Sequence, residues 1–256
     1  MSRAASLPIA LTFGDAAGIG PEIIVRAFAE QPQLLRGAVV VGDLAAMQRA
    51  VDVVARAHPD LALPFVERVD TLRAIPLLPE GVLPVWQVGQ PWAEHDLPAF
   101  GRIQAHSGER AADAVIWAAQ AALRAEVAAV VTAPLHKEAL AAAGVPFPGH
   151  TELLQACAAE HAGVAIADMP VRMMLANDQL RTVLVSIHVS LRDAIDAVTV
   201  DNVLQTLRIT DAAERRRLGR SPRMALAGLN PHAGEGGLMG REEIDILIPA
   251  LQQAQA

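Results

Sequence analysis

The sequence predicts an α/β protein with a largely parallel sheet. Short, β-branched apolar runs alternate along the chain with longer segments of helical character. Glycine-, proline- and histidine-bearing motifs follow several of those runs, at the strand ends where open α/β sheets bind ligands. Apolar residues make up 52% of the 256 residues and charged residues 19%, which supplies a core and excludes intrinsic disorder.

The first strand is expected at residues 7–13. A helix follows at 21–30, with Pro21 at its first position and Glu22 beside it, both favoured at a helix start. Residues 38–41 read as a strand ending at Gly42-Asp43, and 44–57 as a helix. Strands are expected at 64–73 and 82–88. Prolines 59, 64, 76, 79, 84 and 91 concentrate there and point to an irregular or edge element. Residues 107–124 form an Ala-rich helix and 127–132 a strongly apolar strand. A short helix at 138–143 is stopped by Gly144 and Pro146, and another follows at 151–159. Residues 171–176 and 181–187, joined by Asn177-Asp178-Gln179, read as a hairpin, which would make the sheet mixed. A helix begins at 191–194 and ends before Thr199. Residues 201–217 are a helix, 223–229 a strand and 241–255 a final helix. The Pro-rich stretch 76–91 and the loop at Gly101 place a domain boundary near residue 105, giving domains 1–105 and 106–256.

The net charge of −7 argues against a sequence-independent grip on nucleic acid, and 3% aromatics with no Tyr argues against a base-stacking surface. The single Cys157 excludes an internal disulfide and a cysteine-based zinc knuckle. No targeting segment or membrane span is read, so the chain is expected in the cytoplasm.

Five motifs carry chemistry. Gly14-Asp15-Ala16-Ala17-Gly18-Ile19-Gly20-Pro21-Glu22 joins a strand to a helix. Its glycines at 14, 18 and 20 suit either a tight turn or an anion-holding loop, and the spacing is not the dinucleotide fingerprint. Thr132-Ala133-Pro134-Leu135-His136-Lys137 follows a parallel strand, and Lys137 is a candidate charge for a phosphate or carboxylate beside its plainer role as a solvated lysine. Pro146-Phe147-Pro148-Gly149-His150-Thr151 presents a histidine and a threonine at a helix start, where Thr151 alone would serve as N-cap. Ser186-Ile187-His188 and Leu229-Asn230-Pro231-His232-Ala233-Gly234-Glu235-Gly236-Gly237 end two strands. Two strand-end histidines can converge on a divalent metal, although a single such histidine is more often structural.

In this order the motifs resemble the 4-hydroxythreonine-4-phosphate dehydrogenase family of vitamin B6 biosynthesis. The likeness rests on residues 12–22, 131–152, 173–193 and 228–245. It implies two α/β/α domains around a cleft, similar to isocitrate and isopropylmalate dehydrogenases rather than a Rossmann domain. It implies oxidation of 4-phosphohydroxy-L-threonine with NAD or NADP, then decarboxylation to 3-amino-2-oxopropyl phosphate. One divalent metal (Zn, Mg, Mn or Co) would be held by three histidines, with His188 and His232 matching two of them. His150 and Thr151 match a substrate-binding pair, while Gly14, Asp15, Gly18, Gly20 and Lys137 remain an anion or cofactor loop on their own chemistry. A homodimer with a shared active site is also implied. Ala16 stands where the family usually has Pro. The family continues past residue 245 to a third histidine, in a His-Asp-Gln-Gly motif, and to a Lys, Asn and Arg of the substrate site. None of these occurs here, so the chain is expected to be a C-terminally truncated member lacking part of its first sheet. The alternatives are a related dehydrogenase for a four-carbon sugar-acid phosphate or a carboxylated dihydrodiol, or an inactive remnant.

Overall fold

The structure, a computed structural model, describes residues 7–255. Residues 1–6, part of the stretch read as free of targeting signals, lie outside it, as does Ala256. Five strands form one wholly parallel sheet: β1 (Ile9–Thr12), β2 (Ala38–Gly42), β3 (Phe65–Arg68), β4 (Val82–Gln87) and β5 (Ala129–Thr132), in the order β3-β4-β2-β1-β5. Because β4 lies between β2 and β3, the order is not that of a dinucleotide-binding domain. All five residues of β2 are buried, as a central parallel strand covered on both faces requires. Helices α1 (Gly20–Glu30), α2 (Leu44–Ala57) and α3 (Ala105–Leu123) carry the crossovers. The short α4 (Lys137–Ala142) and α5 (His150–Ala162) pack on α3.

The Pro-rich region yields an interior strand, where an irregular or edge element was expected. Pro84 stands opposite Glu67 of β3, and pairing of β4 with β2 begins only at Val85. The missing N–H thus falls where no β2 partner is registered. The strand expected at 64–73 stops at Arg68 and gives way to a 3₁₀ turn, Leu72–Leu77, that contains Pro76.

The described chain divides into two compact units, residues 1–169 and 170–256, rather than near residue 105. The reason is that α3 packs on β1 and β2, while β5 pairs in register with β1. Both are therefore part of the first sheet's structure.

In the second unit, β6 (Met174–Ala176) and β7 (Arg181–Val183) form the expected hairpin. It stands as a separate two-stranded sheet, so among the described residues the parallel sheet is not mixed. The Asn177 side chain accepts from the N–H groups of Gln179 and Leu180, fixing the turn. Helices α6 (Leu191–Asp196) and α7 (Val200–Leu218) are capped by Ser190 and Thr199. Residues 223–229, expected as a strand, form no ladder among the described residues. The final helix opens with a π-type turn, Glu243–Leu247, before α8 (Ile248–Gln255). Pro249 explains it: the ring has no N–H to give and would crowd the carbonyl four residues earlier, and a wider turn relieves both.

Candidate active site

The candidate residues fall into two sets, one in each unit. In the first, β1 is flanked by β2 on one side and β5 on the other, so chain connections leave it in opposite directions. This is a switch point, where open parallel sheets bind ligands. The loops after β1 and β5 meet there. The Asp15 N–H donates to the Pro134 carbonyl at 2.9 Å, and Gly14 lies so close that a Cβ would sit 2.5 Å from the same oxygen. Gly14 also has φ +76°, so the position is closed to other residues on both counts. A Cβ on Gly20 would lie 2.3 Å from the Phe13 carbonyl, so the absence of a side chain lets the start of α1 approach the end of β1.

Much of the glycine loop's polarity is consumed internally. Asp15 is buried, and its Oδ1 accepts from the Ala17 N–H and the Ser107 hydroxyl. Arg49 donates to the carbonyls of Ala16 (2.7 Å) and Pro98 (2.6 Å), with its guanidinium 4.1 Å from the Phe100 ring centre. Burial lowers the Arg49 pKa, with Glu22 opposing. Gly18 makes no close approach: its added Cβ would meet nothing nearer than 3.5 Å. Lys137 is the exposed first residue of α4.

His150 opens α5, with Gly149 in the cap position and Thr151 second in the helix, so Thr151 is not the N-cap. The His150 Nε2 is buried without a hydrogen-bond partner. Burial pushes the imidazole pKa down, partly offset by the Ala133 backbone, which favours the neutral ring at neutral pH. Thr12 Oγ1, at the end of β1, is likewise buried and unpartnered. Orphaned polar atoms of this kind are rare in folded proteins and fit a place where a ligand or ordered water completes them. Neither α1 nor α5 has a side-chain cap, leaving N–H groups of both first turns for an anionic group.

In the second unit, Ser186 and Leu229 line one cavity of about 280 Å³, so the chain segments leading to His188 and His232 run along a common space. Both histidines are exposed, and both adopt left-handed backbone, φ 54° and 52°. Such a conformation costs a non-glycine residue ~1–2 kcal/mol and is concentrated at functional sites. His232 begins a run of five left-handed residues through Gly236. Among the described residues no group of three or more metal-ligating side chains is assembled. His188 and His232 are two donors, one fewer than the three protein ligands of an ordinary open metal site.

Sequence reasoning passed over Glu243. Its Oε1 accepts from the backbone N–H groups of Leu229 and Asn230, each at 2.7 Å, and its Oε2 from Asn230 Nδ2 at 2.9 Å. These bonds hold the Glu243 carboxyl at about 2, far below its ordinary 4.5. A depressed carboxyl adds stability that is complete above the ordinary value and is lost as pH falls through the folded one. Acid unfolding of the chain should therefore steepen between about pH 4.5 and 2. Glu243→Gln should remove that part of the slope, as followed by the unfolding midpoint across this range.

Comparison with known proteins agrees with this layout. Residues 35–256 match the family described as pyridoxal phosphate biosynthetic protein PdxA. A 4-hydroxythreonine-4-phosphate dehydrogenase of Beijerinckia indica is 44% identical over 249 residues, covering 97% of this chain and 68% of that protein. The chain belongs to the PdxA family. A second relative, a D-threonate 4-phosphate dehydrogenase of Salmonella typhimurium, is 40% identical over 97% of this chain and 71% of its own length. Among solved structures, a 4-hydroxythreonine-4-phosphate dehydrogenase from Klebsiella pneumoniae superposes with a TM-score of 0.83 at 34% identity, covering 99% of this chain and 72% of that one. PdxA membership accounts for the fold class and makes the chain part of a dehydrogenase family of pyridoxal phosphate biosynthesis. No helix among the described residues is long and apolar enough to cross a membrane.

Proposed function

We propose that this chain oxidises 4-phosphohydroxy-L-threonine with NAD or NADP in the cytoplasm and that the product decarboxylates to 3-amino-2-oxopropyl phosphate. The observation that carries the reading is the 44% identity to a 4-hydroxythreonine-4-phosphate dehydrogenase across 97% of the chain. The reaction moves a hydride from the secondary alcohol carbon to the nicotinamide and releases the hydroxyl proton. The resulting β-keto acid then loses CO2. His150 and Thr151 bind the substrate: the buried Nε2 of a neutral imidazole has no partner in the protein and forms its hydrogen bond with the substrate. The uncapped starts of α1 and α5 and the Gly14–Gly20 loop favour anionic groups there. Lys137 adds a mobile positive charge at the same strand end.

His188 and His232 are two ligands of a divalent ion (Zn, Mg, Mn or Co). Held there, the ion would supply Lewis-acid chemistry to the substrate's oxygen. The large apolar side chains Leu191 (81% exposed) and Leu238 (86%), close in sequence to the two histidines, support a homodimer that covers this region.

The second reading is a D-threonate 4-phosphate dehydrogenase, favoured by the 40% identical relative with that activity in its name. Assay of the purified protein with each phosphorylated acid, NAD or NADP and a divalent ion separates the two. The higher kcat/KM is expected for 4-phosphohydroxy-L-threonine, with an amino-ketone phosphate as product. Reduced nicotinamide from D-threonate 4-phosphate alone would establish the second reading.

A further inference from the structure

The His232 loop departs further from ordinary backbone than any other described segment, and its support comes from one carboxylate fourteen residues downstream of Leu229. Glu243 is 7% exposed. One of its oxygens receives two consecutive backbone N–H groups, of Leu229 and Asn230, and the other receives the Asn230 side chain. Asn230 in turn caps the turn: its carbonyl accepts from the Ala233 N–H at 3.1 Å, and its Nδ2 also reaches Glu242 at 2.6 Å. The far side of the loop is closed by Met239 N–H to the Gly234 carbonyl, 3.1 Å.

The glycines of the motif fit around this carboxylate. A Cβ on Gly234 would lie 3.0 Å from Glu243 Oε2 and 2.8 Å from the Gly240 carbonyl. One on Gly240 would lie 2.5 Å from Glu242 Oε2 and 2.6 Å from Asn230 Nδ2. Gly234 is the buried member of the loop, while His232 on the same turn faces outward and is exposed. The carboxylate thus grips the inner side of a strained turn whose outer side presents the imidazole.

We infer that Glu243 is a positioning residue for His232: it holds residues 229 and 230 at the entry to the left-handed turn 232–236 that presents the imidazole. The role for metal binding rests on the reading of His232 as a ligand. The turn itself does not. Carboxylates that support metal ligands indirectly commonly change metal affinity 10–100-fold.

The test uses the full chain and two readouts. Hydrogen exchange in the absence of metal is followed across 229–236 for wild type, Glu243→Ala and Glu243→Gln. Exchange of the Leu229 and Asn230 amides should accelerate in Glu243→Ala and to a smaller degree in Glu243→Gln, whose amide oxygen still accepts. Unchanged exchange in a folded Glu243→Ala overturns the inference, and Glu243→Gln serves if the alanine variant does not fold. Zinc titration is then compared for wild type, Glu243→Ala, His232→Ala and the double variant. Zinc binding should weaken roughly tenfold or more in Glu243→Ala, and no further when His232 is already absent. Equal additional weakening on the His232→Ala background would show a general structural effect and overturn positioning. If His232→Ala leaves zinc binding unchanged, the ligand reading fails, and the exchange data alone decide whether Glu243 holds the turn.

Discussion

Asp43→Ala is expected to destabilise the first unit by about 3–5 kcal/mol. Asp43 is fully buried where β2 ends, and it organises four donors. Its Oδ1 caps α2 through the Ala46 N–H at 3.2 Å. Its Oδ2 accepts from Gln87 Nε2 (2.9 Å), the Trp92 N–H (3.1 Å) and Arg110 Nη1 (2.9 Å). Arg110 is itself only 12% exposed at its side chain and lies 4.7 Å from the Trp92 ring centre. Removing the carboxylate leaves a largely buried guanidinium without its counter-charge and takes the acceptor from three further N–H donors, the situation in which loss of one partner costs most. Asp43→Asn keeps an acceptor and should cost clearly less. Urea unfolding of the two variants measures the difference.

Gly14→Ala is the second large effect. An alanine there has to adopt φ +76° and place its methyl 2.5 Å from the Pro134 carbonyl. The backbone conformation costs about 1–2 kcal/mol and the collision with main chain about 1–3 kcal/mol more. Gly101→Ala provides the comparison: φ is +65°, but nothing lies within 4 Å of an added Cβ, so only the conformational cost applies. Because the collision separates the loops after β1 and β5, Gly14→Ala should also raise KM for the phosphorylated substrate. Gly101→Ala should leave KM unchanged. Thermal unfolding and steady-state kinetics of the pair test this.

The sheet was legible in the sequence because its strands are runs such as Val39-Val40-Val41, which suit a parallel sheet buried on both faces, and because helix ends carry signals such as Pro21 at a start and Gly144 at a stop. Pro84 misled, since its cost depends on which neighbour pairs at that residue, and pairing is a tertiary fact. Residues 223–229 read as a strand from composition, yet a strand exists only with a partner. The loops of the site were visible as motifs, and the structure brings together those after β1 and β5. Which loop residues are internal stitching was not visible. Asp15, read only as part of a possible anion or cofactor loop, is bonded to Ala17 and Ser107, and Thr151 looked like a cap that Gly149 turned out to occupy. Glu243 left no signature because its partners are chiefly backbone N–H groups, which every sequence contains. Its only mark was a pair of acids, Glu242-Glu243, after Gly240, which reads as an ordinary helix start.

Direct binding of 4-phosphohydroxy-L-threonine to wild type and His150→Ala, by calorimetry with the fold checked by circular dichroism, tests the central claim most sharply. The account predicts that wild type binds and that the variant, still folded, binds about tenfold or more weakly, because the buried imidazole's hydrogen bond to the substrate is gone. Equal affinity in the two proteins would contradict it.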